Sequence, residues 1–206
     1  MQVIRLAWQY LDDEDAWRAH EHDVPVAYFG QGSLHDFTWY FEGVSAVPTS
    51  DLGAVCAWLA DCEYVRDPEL FDVGDFWQHP RTFEQIRRGD CEDHALWAWR
   101  KLCELGISAE LVVGQWLQGS SAGHSHHAWV VFTMDSKRFL LEAVAKDPAD
   151  MVRDLADART EYVPHMSVDG QFHRRVYAGY VRWLQEERER RRALKAARAS
   201  IGAPAS

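Results

Sequence analysis

The sequence has few cysteines and none in a close pair. Cys56, Cys62, Cys91 and Cys103 contain no CxxC spacing, so the pattern of a zinc ribbon is missing. Four cysteines in 206 residues do not by themselves make a disulfide scaffold either. Long apolar runs are also missing: no window approaches the roughly 18 apolar residues of a membrane span. The opening MQVIRLAWQYLDDEDAW has no basic region followed by an apolar core and a small-residue cleavage site. A cytoplasmic protein with no membrane partner is therefore expected, which suits a reduced thiol. Positive charge is scarce as well. A formal net charge of -10 repels phosphate, so no nucleic-acid partner is expected.

What is present favours a well-filled core. Hydrophobic residues make up 47% of the chain and ten residues are tryptophan, enough to fill one domain of ordinary size. QVIRLAWQYL fits either a strand or a short helix. VPVAYFGQGS reads as a strand closed by a glycine turn, and LHDFTWYFEGVS alternates at Phe37, Trp39 and Phe41 before breaking at Gly43. SDLGAVCAWLADC predicts a helix capped by Ser50 or Asp51, with Val55, Trp58 and Leu59 on one face and Cys56 and Cys62 structural.

HPRTFEQIRRGD predicts a short helix capped by Thr82 and ended by Gly89. The next helix starts at or near Asp90, because Cys91, Ala95, Ala98, Leu102 and Leu105 recur every three or four residues along one face. SAELVVGQWL, HAWVVF and FLLEAV then predict three strands, joined by the turns SSAGHSH and SKR. A helix packed on an antiparallel sheet follows, an α+β architecture. Beyond Pro148 the chain is polar and turn-rich up to a long terminal helix, YAGYVRWLQEERERRRALKAARA, whose apolar face fades after Leu184. Seven basic residues lie between Arg182 and Arg198. They make a solvated helix end or, as the lesser alternative, an arm for an acidic partner or nucleic acid.

Chemistry concentrates around RRGDCEDHALW. A cysteine heading a helix lies among unpaired backbone N–H groups and positive partial charge, both of which favour thiolate. The flanking Asp90 and Glu92 oppose this by repelling negative charge. In GHSHHAWVVF, His127 precedes a small residue and opens an apolar strand, whereas His124 and His126 belong to the turn. Glu142 is the one acid in FLLEAV and needs a partner there. An imidazole oriented through its far nitrogen would be one.

GDCEDHA, HHAWVVF and FLLEA together resemble the transglutaminase-like, papain-type superfamily, and most of all its bacterial cysteine proteinases. The resemblance implies Cys91 as nucleophile, His127 as base and Glu142 as orienting acid, a position where aspartate is the commoner residue. It also implies a side-chain amide at the oxyanion, for which Gln78 in DFWQHP is preferred to Gln85 in RTFEQ. The implied activity is hydrolysis of peptide or amide bonds through a thioester. Acyl transfer by the same triad and a non-catalytic interaction protein are the alternatives.

A protein or peptide substrate is the expected partner, with a further partner for the charged C-terminal helix as the open addition. No cofactor is expected. Calcium at Asp90 and Glu92 is the lesser reading, and zinc held by Cys91 with His124, His126 and His127 ranks below it. The expected organisation is a single catalytic domain over 1–175, with a recognisable core at 76–144, and a charged helix and tail over 176–206.

Overall fold

The computed structural model describes residues 13–117 and 125–201. All of QVIRLAWQYL, and His124 with its glycine-serine turn, lie outside them. The strands, in chain order, are β1 (Ala19–Glu21), β2 (Glu63–Tyr64), β3 (Arg88–Gly89), β4 (Ser108–Trp116), β5 (Ser125–Met134), β6 (Lys137–Leu141), β7 (Val152–Asp154), β8 (Tyr162–Asp169) and β9 (Arg174–Tyr177). The helices are α1 (Leu52–Ala60), α2 (Asp67–Leu70), α3 (Pro80–Ile86), α4 (Cys91–Glu104), α5 (Pro148–Met151), α6 (Leu155–Ala158) and α7 (Ala178–Ile201). Seven strands form one antiparallel sheet in the order β1-β9-β8-β4-β5-β6-β7, while β2 and β3 pair in parallel beside it.

Helix α4 lies against one face of this sheet and gives the α+β, transglutaminase-like arrangement its centre. Ala95 and Ala98 are fully buried and small, which lets the helix approach Leu111, Val113, Ala128 and Val130. Its far side is covered too: Trp97 stacks on Trp58 of α1 at 3.9 Å and donates its Nε1–H to Glu84 of α3 at 3.0 Å. A helix enclosed on all sides must satisfy its own charges internally. Arg100 does so by donating to the carbonyls of Tyr40 and Glu42, both at 3.2 Å, and to Glu104 at 2.8 Å. Lys101 binds Ser45 Oγ, the Val47 carbonyl and Glu104. These two side chains strap segment 40–47 around the helix that carries Cys91. The opposite face of the sheet holds Trp17, Val112, Trp129, Val131, Leu140, Tyr162 and Tyr177 in a second cluster.

Several local expectations are corrected by the structure. VPVAYFG forms a 3-10 turn over Val26–Tyr28, and Phe37–Phe41 is a 3-10 helix capped by Asp36, so neither is a strand. Their aromatic residues pack edge-on against α4 in place of a sheet partner, Phe37 against Trp99 at 6.1 Å and Phe41 against the same ring at 4.7 Å. Helix α3 is capped by the His79 side chain and begins at Pro80, a residue whose missing N–H suits a helix start; Thr82 lies inside it. Arg87, at φ 56°, ends that helix in the left-handed region, which leaves Gly89 for β3.

The stretch beyond Pro148 supplies three strands of the sheet. Strand β8 is buried on both faces, so its sequence, YVPHMSVD, shows no alternation. Its Pro164 falls where the β4–β8 register shifts between Val113 and Gly114, an irregularity that tolerates a residue without an N–H. A Cβ on Gly114 would stand 2.2 Å from the Val163 carbonyl oxygen, so only glycine allows this approach.

Candidate active site

The start of α4 meets strand β5 at Cys91. Asp90 is the N-cap residue, makes no side-chain cap bond, and leaves the first turn's backbone N–H groups uncapped. Cys91 is half-buried. Its thiol donates to Glu92 Oε2 at 3.3 Å and lies against the backbone N–H of Ala128, the residue after His127. Among the hydrogen bonds of the described residues, none joins the thiol to His127.

His127 lies two residues into β5 and is buried, whereas the sequence suggested that it opens the strand. Its Nε2 is 2.8 Å from Glu142 Oε2. Glu142 stands one residue beyond the end of β6, not within the strand as expected, and its own N–H donates to the Met151 carbonyl at 2.8 Å. The same Oε2 accepts the Tyr162 hydroxyl at 2.8 Å. Trp116, Trp129 and Tyr162 surround the imidazole, with ring centroids 5.5 to 6.3 Å away. A carboxylate that receives two directed bonds behind aromatic walls is held in one orientation.

The competing histidines are engaged elsewhere. His126 is exposed and faces His165 and Trp183, on the side opposite His127, as strand alternation requires. His94 is fully buried: Nδ1 meets the Asp90 carbonyl at 2.7 Å and Nε2 lies 3.5 Å from Lys146 Nζ. Burial holds it neutral, with its pKa lowered to about 4.

Gln85 is an exposed residue of α3 and stands apart from this site. Gln78 is buried, and its amide nitrogen donates to the Arg88 carbonyl at 3.0 Å and to Asp93. A Cβ on Gly89 would meet both Asp93 Oδ2, at 2.2 Å, and Gln78 Nε2, at 2.7 Å. The glycine therefore permits this lock, and both amide hydrogens of Gln78 are used within it.

Acids crowd the other side of the thiol. Asp67, Asp75, Asp90, Glu92 and Asp93 bring oxygens together in overlapping sets of three, two of them carboxylates alone and one including Cys91, with atoms within 4.8 Å of one another. Among the described residues none of the five forms an ion pair, and Asp67 Oδ1 and Asp90 Oδ1 are buried without any hydrogen-bond partner. Two like charges so close repel by roughly 3 kcal/mol at an effective dielectric of about 20, so the five cannot all ionise without a cation.

Burial, with Asp90 beside it, pushes Asp67 up to about 6. Burial and mutual repulsion raise Asp90, Glu92 and Asp93 also, and burial together with Glu92 and Asp90 raises the Cys91 thiol well above its ordinary value. Such a set of orphaned oxygens can hold a divalent cation. This goes beyond the expectation of a centre without a cofactor. The sequence drew attention to Asp90 and Glu92 but not to Asp67, Asp75 or Tyr162; the acid-rich DPELFDVGD was the signal available for the first two.

A helix-heading cysteine on an antiparallel sheet, beside a His–Glu pair, defines the transglutaminase-like cysteine-protease superfamily. Residues 75–178, half of the chain, match the model of the CEP76 peptidase-like domain, and the chain belongs to that family. No curated protein matches the sequence. Among solved structures, Legionella pneumophila LapG is 22% identical over 58% of this chain and 64% of that one, with a TM-score of 0.45. The chain thus spans less than two thirds of that protein's length. Calcium-bound LapG of the same organism is 18% identical over 82% and 83%, with a TM-score of 0.46, and the EGTA-treated form is 23% identical over 56% and 60%, with a TM-score of 0.43.

The expectation of a cytoplasmic protein is corrected: the solved structures this chain is similar to are LapG proteins, and that likeness gives no support to a cytoplasmic assignment. Among the described residues no helix is long and apolar enough to cross a membrane.

Proposed function

We propose that this chain is a cysteine peptidase or amidase in which Cys91 is the nucleophile, His127 the base and Glu142 the acid that orients it. The observation that carries the reading is the 2.8 Å contact of His127 Nε2 with Glu142 Oε2, in a strand whose next residue meets the Cys91 thiol. The carboxylate can only accept, so the imidazole proton sits on Nε2 and Nδ1 is free to take the proton of the thiol. The thiolate attacks a substrate carbonyl carbon. The C–N bond then breaks, the imidazolium proton passes to the leaving amine, and a thioester remains on Cys91. Water gives a proton to the same nitrogen and attacks the thioester; the C–S bond breaks, the acid leaves, and the proton returns to the Cys91 sulfur. The substrate class is a peptide or protein amide.

The acid cluster determines when that thiol can ionise. Asp67, Asp75, Asp90, Glu92 and Asp93 are the residues that would hold calcium, whose preference is for hard carboxylate oxygens. When bound, calcium supplies the positive charge that lets these groups ionise together and offsets their repulsion of a Cys91 thiolate. A thiol-directed activity probe on the intact protein, with Cys91→Ala beside it and calcium present, tests the reading. Labelling that is the same in both proteins removes Cys91 as nucleophile. Mass analysis of the products separates hydrolysis, which yields the free acid, from transfer to an amine.

A further inference from the structure

An acyl-transfer centre needs two donors at the oxygen that becomes negative in the tetrahedral intermediate. The Cys91 backbone N–H, at an uncapped helix start, is one. Gln78 does not supply the second. Its amide nitrogen has both hydrogens committed, its Oε1 is a buried acceptor with no partner, and turning the amide over would press that oxygen against the Arg88 carbonyl.

Tyr64 is a second candidate donor beside the start of α4. It lies in β2, in register with Gly89 two residues before Cys91, and the backbone bond from Val65 to the Gly89 carbonyl, at 2.9 Å, fixes that register. Its ring runs beside the first turn of α4, 6.4 Å from the His94 ring. The phenol makes no hydrogen bond among the described residues, and the residue is 44% exposed.

We infer that the Tyr64 hydroxyl donates the second hydrogen bond to the oxyanion, as a catalytic residue that the motif does not contain. The inference rests on the reading of Cys91 as an acyl-forming nucleophile, and the test keeps the two apart. Tyr64→Phe removes the hydroxyl from a half-exposed ring and leaves no buried hole. Acylation of the intact protein by p-nitrophenyl acetate passes through a tetrahedral oxyanion, whereas alkylation by iodoacetamide displaces iodide directly and forms none. Both rates are measured in calcium-containing buffer, with Cys91→Ala as the blank.

The expected result for Tyr64→Phe is an acylation rate lower by roughly 10²-fold, with alkylation within about 2-fold of wild type. Unchanged acylation overturns the inference. So does a parallel change in both rates, which would place the hydroxyl's effect on the thiol itself. Wild-type acylation no faster than that of Cys91→Ala overturns the cysteine reading, and the inference with it.

Discussion

The two sides of the cleft are built on opposite electrostatic plans. On the sheet side the His127–Glu142–Tyr162 set is directed: imidazole Nε2 to carboxylate, phenol to the same oxygen, aromatic rings around both. On the helix side, five carboxylates converge without an ion-pair partner among the described residues, and two of them bury oxygens that meet no donor. The sheet side is preorganised, while the helix side gathers like charges. A base must be fixed before substrate arrives, but a thiol beside buried acids is held toward its protonated form. The fold thus positions the base, while the acid cluster opposes ionisation of the thiol.

The largest effect should come from the helix side. Chelation with EGTA is expected to slow iodoacetamide alkylation of Cys91 at pH 7.5 by about 10²-fold, because the acids then hold the thiol pKa high. Asp67→Asn should weaken the recovery on adding calcium back. Equal rates with and without calcium, followed by mass spectrometry of the labelled cysteine, would break the contrast between the two sides.

On the sheet side, Glu142→Gln should lower peptide hydrolysis about 10²-fold while leaving calcium-dependent alkylation of Cys91 in place, since it disturbs the imidazole and not the acids. A rate equal to that of wild type removes Glu142 from the proposed triad. Tyr162→Phe takes away one of the two bonds to the carboxylate and leaves the other. A fall of about 5-fold in kcat at constant KM is expected, corresponding to about 1 kcal/mol. A loss as large as that of Glu142→Gln would mean that the phenol does more than hold the acid.

The smallest effect concerns stability. Asp67 has a folded pKa near 6, above its value of about 4 when unfolded, so the folded state binds more protons in that interval. Its contribution to stability is full below pH 4 and is lost as pH rises through 6. In metal-free protein this favours the acid side of that window, and added calcium should raise Tm by a few degrees more at pH 7.5 than at pH 4.5. Thermal scans at the two pH values measure the difference; equal increments would assign calcium's effect to groups that do not titrate there.

By itself, the sequence determined what local periodicity and side-chain chemistry can encode. The run from Cys91 through Ala95, Ala98 and Leu102 marked a helix headed by a thiol, and the apolar runs of β4, β5 and β6 marked the adjoining sheet. Small residue, aromatic and histidine in HHAWVVF, with a lone acid in FLLEA, marked residues whose side chains needed partners.

Tertiary structure decided everything that depends on groups distant in the chain. Strand β8 became visible only when both of its faces were covered, since a strand buried on two sides loses the alternation that reveals one. Tyr162 reaches Glu142 from a strand 20 residues away, and Asp67 joins Asp90 through the fold, not through a motif. Gln78 carried the right chemistry for an oxyanion donor, yet Gly89 lets Asp93 come close enough to take its amide. Hydrogen bonding is short-ranged and directional, so a side chain's type states what it could donate, and only its neighbours in space determine where that donation goes.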